Sequence, residues 1–160
     1  MNVWTPPSPV LDLVCPPRTD MLHLIRNVVA TVSRTIGFSP EDTSLIEISV
    51  DEACTNVIRH AYGNLAKNAP TTKLEEAILK VEIRPTAKGL VISVIDHGTA
   101  PRDGWFRSVT SIEQYIAHPE LKGLGCFIIH HFMDEVAYNT PPGLGTVLSM
   151  VKYLHQPNTL

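Results

Sequence analysis

Apolar side chains recur along residues 19–36 at three- and four-residue spacing. Met21, Leu22, Leu24, Ile25, Val28, Val29 and Val32 fall on one helical stripe. Thr19 and Asp20 are the candidate N-caps, and Gly37 ends the run. A second helix starts at Ser39-Pro40-Glu41-Asp42. Serine suits the N-cap, proline the first helical position, and the two carboxylates the positive end of the dipole. The spacing carries this helix to about Tyr62, with Gly63 as the stop, a span of roughly 30 Å. Residues 10–14, between Pro9 and Pro16, alternate as a short strand, and the flanking prolines suit a sheet edge.

Beyond a polar loop at 64–73, residues 77–84 and 90–96 predict two strands joined through 85–89 as an antiparallel hairpin. Residues 97–122 are irregular apart from a short helical pattern at 111–117, and a loop of that length is often functional. A helix over 124–133 and strands over 136–139 and 146–153 complete the chain. Paired strands with short connections, interrupted by helices in groups, predict an α+β two-layer sandwich. Its sheet would be mixed but mostly antiparallel, with the helices on one face.

Composition narrows the function. The chain has 160 residues, 44% of them hydrophobic, enough for a buried core, and only 18% charged. A net charge of -3 offers no basic footprint for nucleic acid. No apolar run approaches bilayer length, and the N-terminus lacks a basic segment followed by an apolar one, so the expectation is a cytoplasmic protein off the membrane. Cys15, Cys54 and Cys126 are scattered and odd in number, which argues against a disulfide framework or a structural zinc site. The adjacent His130 and His131 would point apart on a helix and chelate poorly.

Four short patterns carry candidate chemistry. Glu52, Asn56 and His60 stand four residues apart on the long helix, beside apolar Ile48, Ala53 and Val57. Such a stripe is either solvated or aimed into a pocket, where a carboxylate accepts a proton and an amide oxygen suits Mg²⁺. Asp96-His97-Gly98 ends a hydrophobic strand. It reads as an Asx turn, or as an acceptor for an exocyclic amine with room beside it. Lys122-Gly123-Leu124-Gly125 opens a helix, where backbone N–H groups and the dipole favour phosphate. It is neither a Walker A loop nor a good dinucleotide fingerprint. Gly143-Leu144-Gly145-Thr146 precedes the last strand and brings a hydroxyl to the sheet edge.

In that order, Glu52-x-x-x-Asn56, Asp96-x-Gly98, Gly123-x-Gly125 and Gly145-Thr146 resemble the four ATP-binding boxes of the Bergerat, or GHKL, fold. The run from Asp51 to Tyr62 is similar to the first box of bacterial anti-sigma factor serine/threonine kinases, as is Gly123-Leu124-Gly125 leading to Met133-Asp134-Glu135-Val136. The resemblance covers roughly residues 8–154 and implies a single ATP-binding kinase domain, without the further domains of a sensor histidine kinase or a gyrase-type ATPase.

The resemblance implies these roles. Asp96 accepts the adenine amino group, with Gly98 beside the ring and Thr146 supporting the contact. Asn56 binds Mg²⁺, Gly123, Leu124 and Gly125 offer N–H groups to the phosphates, and Lys122 adds charge there. Residues 99–122 form a lid, and Glu52 is the general base for a serine or threonine hydroxyl of a partner. His60 is structural. The implied partners are a STAS-domain anti-anti-sigma substrate and a sigma factor, with a homodimer through the N-terminal strand and first helix. Two positions depart from the family pattern, Ala100 in place of a further glycine and Cys126 in place of a larger apolar residue. The competing expectations are a nucleotide-responsive binding switch without phosphoryl transfer, and the catalytic part of a split histidine kinase.

Overall fold

The computed structural model describes residues 11–63, 77–98, 111–117, 123–142 and 145–155. The chain begins with β1 (Leu11–Cys15), α1 (Met21–Ile36) and α2 (Pro40–Asn56). A π-helical turn, Val57–Ala61, continues α2. Then come β2 (Leu79–Thr86), β3 (Gly89–Asp96), α3 (Ile112–Ala117), α4 (Leu124–Phe132), β4 (Glu135–Asn139) and β5 (Val147–Tyr153). The five strands form one sheet in the order β1-β2-β3-β5-β4, and every pairing is antiparallel.

Period-two burial decides which face the helices cover. Leu79, Val81 and Ile83 of β2 and Leu90, Ile92 and Val94 of β3 are all buried. They meet Ile25 and Val29 of α1 and Ile46 and Val50 of α2 in one core. The intervening positions are partly exposed, as expected of an antiparallel sheet with one covered face. The expected α+β sandwich is therefore the fold.

The local signals map onto the elements with two differences. Ser39 caps α2 as expected, its hydroxyl accepting from the Asp42 N–H at 3.0 Å. Gly37 ends α1 at φ 104°, a left-handed conformation that favours glycine. Asp20 takes the N-cap position of α1 without capping it; its carboxylate instead pairs with Arg18 at 2.5 Å. The β2–β3 connection is also tighter than the sequence suggested. Only Ala87 and Lys88 form the turn, and Pro85 pairs within the hairpin opposite Leu90. A proline fits a ladder only where its missing N–H is not required, and the pairing with Leu90 keeps it inside the hairpin near the end of β2.

Among the described residues, one cation is buried on the covered face. Lys152 of β5 is 6% exposed, and its Nζ donates to the Phe132 carbonyl at 3.0 Å and to Asp134 Oδ1 at 3.3 Å. Asp42, in the first turn of α2, stands 3.9 Å away. A buried charge persists only when paired, so this lysine ties the end of α4, the start of β4 and the start of α2 together.

Candidate functional site

Two groups of side chains, one on the strands and one on the helices, gather the sequence candidates. The first lies where β3 ends beside the start of β5. Asp96 closes β3 on the covered face and is 1% exposed. Its Oδ1 accepts from the Gly98 N–H at 2.8 Å. Its backbone N–H donates to the Thr146 carbonyl at 3.1 Å, and its carbonyl accepts from the Gly145 N–H at 3.1 Å. Burial pushes the Asp96 carboxyl up, while hydrogen bonds from Gly98 and from the backbone and hydroxyl of Thr146 pull it partway back. A methyl on Gly145 would collide with Asp96 Oδ1 and stand 2.9 Å from the Gly98 nitrogen. Asp96, Gly98 and Thr146 thus meet at one place, and Gly145 is what permits their approach.

The second group forms where α2 meets α4. Glu52 and Asn56 share one side of α2, one turn apart, and both are partly buried. A methyl on Gly125 would stand 2.5 Å from Glu52 Oε2 and 3.4 Å from Asn56 Nδ2. The backbone of α4 therefore passes directly against the carboxylate and the amide. Gly123 precedes this helix at φ 115°, and the first helical bond runs from the Phe127 N–H to the Gly123 carbonyl. The N–H groups of Leu124 and Gly125 come before that bond and have no helical acceptor. Burial, and then the neighbouring Asp51 carboxylate, push the Glu52 carboxyl up; the Arg59 charge pulls it down. A side-chain amide, whose oxygen is a hard ligand, at the start of a helix is a set of groups that suits a Mg²⁺-bound phosphate chain. Lys122, the other candidate here, lies outside the described residues, as does the expected lid except for 111–117.

The end of α2 links the two groups. The Tyr62 N–H reaches back five residues to the Val57 carbonyl at 3.3 Å, which defines the π turn. Ala61 then packs on Gly98, where an added methyl would stand 2.7 Å from both Ala61 Cβ and the Ala61 carbonyl oxygen. Tyr62 is 4% exposed. Its hydroxyl donates to the Ile78 carbonyl and accepts from the His97 N–H, both at 2.8 Å. His60 is exposed on this turn.

Sequence reasoning passed over two features. Tyr62 entered only as part of a motif, although a buried tyrosine needs partners for its hydroxyl and so invites the question. The groove between α1 and α2 left no local signal. It encloses about 490 Å³ and is lined by His23, Arg26 and Asn27 of α1 and by Ser44, Glu47, Ile48, Asp51 and Glu52 of α2. Arg26 and Asp51 form an ion pair across it at 3.5 Å. Glu52 thus borders both this groove and the contact with α4.

Comparison with known proteins agrees with this fold. The family described as "Histidine kinase-like ATPase domain" matches residues 15–152. The chain is similar to the serine-protein kinase RsbW of Halalkalibacterium halodurans, at 25% identity over 98% of this chain and 89% of that protein. It is also similar to RsbW of Bacillus mycoides, at 26% identity over 91% of this chain and 86% of that protein. Among solved structures, the SiaB-SiaC complex from Pseudomonas aeruginosa contains a chain of the same fold. That match has a TM-score of 0.64 and 15% identity, and it covers 89% of this chain and 88% of that one.

Proposed function

This chain belongs to the histidine kinase-like ATPase domain family, and on that premise we propose that it is a protein serine/threonine kinase. It uses Mg-ATP, phosphorylates a hydroxyl of a STAS-type anti-anti-sigma protein, and regulates transcription by exchanging that partner for a sigma factor. The similarity to proteins named serine-protein kinase RsbW supports the choice of acceptor. The single observation that carries the reading is the contact of Gly125 with Glu52 and Asn56. It joins a carboxylate, an amide and the start of a helix in one small region.

In this reading Asp96 accepts the amino group of adenine, with Gly98 beside the ring and Thr146 steadying the carboxylate. Gly123, Leu124 and Gly125 bind the phosphates through backbone N–H groups, with Lys122 adding charge. Asn56 holds Mg²⁺, which when bound spreads the charge that develops on the transferring phosphoryl group. The partner's hydroxyl approaches Glu52 along the groove between α1 and α2. Glu52 orients that hydroxyl and accepts its proton. Phosphoryl transfer is chiefly positioning and electrostatics, so few catalytic side chains are required.

The test is transfer of labelled γ-phosphate to a purified STAS-domain partner. Wild type should yield an acid-stable phosphoprotein. Glu52→Ala should lose transfer by about a hundredfold or more, as expected for removal of a general base, while still binding ATP. An acid-labile product would point to a phosphohistidine and overturn the serine reading. Unchanged transfer in Glu52→Ala would remove Glu52 from the mechanism.

A further inference from the structure

The two groups of site residues stand on different kinds of element. Asp96 and Gly98 belong to a strand end, and Glu52 and Asn56 belong to a helix. A nucleotide that engages both groups needs their relative position held. A π turn begins directly after Asn56 and inserts one extra residue into the helical turn, which re-aims everything beyond it. The residues so re-aimed are Ala61, packed against Gly98, and Tyr62, whose hydroxyl bridges the Ile78 carbonyl and the His97 N–H. His97 lies between Asp96 and Gly98, so the hydroxyl grips the turn itself. The opposite grip, on Ile78, ties the same hydroxyl to the segment leading into β2, next to Leu79, which pairs with Asp96. Both of its bonds are made inside the protein by a nearly inaccessible side chain. Their loss would leave the His97 N–H and the Ile78 carbonyl without this partner.

We propose that Tyr62 is a positioning residue. Its hydroxyl, delivered by the π turn that follows Asn56, holds the turn 96–98 in register with the helix bearing Glu52 and Asn56. It thereby sets the preference for adenine over guanine nucleotides. The inference rests on the proposed role of Asp96 as the acceptor of the adenine amine. A carboxylate selects an amine over the carbonyl that guanine carries at the same place only while it is held where the base arrives. Tyr62 touches no part of the nucleotide in this account and acts through Asp96.

Calorimetric titration of the whole chain with Mg-ATP and Mg-GTP tests it. Wild type should prefer ATP. Tyr62→Phe keeps the ring and should weaken ATP binding about tenfold while changing GTP binding less than about twofold, so the preference shrinks. In an Asp96→Asn background the same substitution should cost nothing further, because its effect passes through that carboxylate. Equal weakening of both nucleotides, or an unchanged preference, would make the hydroxyl merely structural and overturn the proposal. Wild type that binds neither nucleotide, or both alike, would instead overturn the reading of Asp96 and the inference with it. Thermal unfolding reports whether each variant folds. Should Tyr62→Phe fail to fold, Ala61→Val carries the test, because it keeps the hydroxyl, displaces the same turn and should shrink the preference in the same way.

Discussion

The two groups of site residues are built in opposite ways. The Asp96 group is nearly closed: Asp96 is 1% exposed, and its neighbours are held by backbone hydrogen bonds between strands in register. The group around Glu52 is partly open and depends on how closely two helices pass. Strand register is an all-or-none property, because a one-residue slip would move Asp96 to the other face. Helix contact is graded, because side chains at a helix surface can turn aside. The closed group therefore suits recognition of a flat, invariant base. The open one suits chemistry on a group that a partner must reach.

The sharpest way to break this comparison is Gly145→Ala. The added methyl would meet Asp96 Oδ1, the Asp96 carbonyl and the Gly98 nitrogen, two of them backbone atoms that cannot swing away. Nucleotide binding should be lost by about a hundredfold, with stability falling by about 1–3 kcal/mol as in other overpacked sites. Calorimetry and urea unfolding measure the two effects. Retention of ATP affinity would show that the strand end is not the base site.

Gly125→Ala should do less. Its methyl meets the far end of the Glu52 side chain and the Asn56 amide, both of which can rotate. ATP affinity should change by no more than a fewfold while transfer slows by about tenfold, since a misplaced base costs rate before binding. Single-turnover transfer at saturating ATP separates the two. A larger loss in binding than in rate would reverse the assignment of the two groups.

Acidity should have the smallest and most gradual effect. The folded Asp96 carboxyl lies above its ordinary value because of burial. As pH falls it gains a proton before an exposed aspartate would, so ATP affinity should begin to drop above the usual aspartate range. Stability moves the other way. A folded-state pKa above the unfolded one means the native state binds the proton first. The cost of burying this charge is therefore relieved as pH falls through the folded value and is fully gone below the unfolded one. Glu52 is raised as well, chiefly by burial, so transfer should fall on acidification from above the ordinary glutamate range. Binding and transfer profiles across acidic pH should therefore both bend early. A profile bending only at ordinary carboxylate values would show that burial does not govern either group.

Local signals were legible wherever they acted over one turn or one strand. The Ser39 cap, the Gly37 stop, the hairpin of β2 and β3 and even the short α3 follow from patterns within a few residues. Asp20 misled because a carboxylate that suits an N-cap suits a neighbouring Arg18 as well. Pro85 misled because proline in a strand is read as a break, whereas here it pairs within the hairpin opposite Leu90. The π turn left no pattern, since a one-residue change in helical pitch is smaller than the spread of apolar spacing. The groove beside Glu52 was equally silent, being made by two helices whose facing side chains lie about twenty-five residues apart.

Sequence alone determined the elements, the fold class and the motif order that led to the family, because helical and strand periodicity and cap chemistry are properties of short runs. The juxtapositions were decided by the tertiary structure. It brought Gly125 against Glu52, Gly145 against Asp96, and the Tyr62 hydroxyl onto His97. Contacts between residues tens of positions apart depend on sheet register and helix packing, which no short run encodes. The chain shows how much rests on them in the place it keeps glycine: a single methyl at residue 145 would close the space beside Asp96.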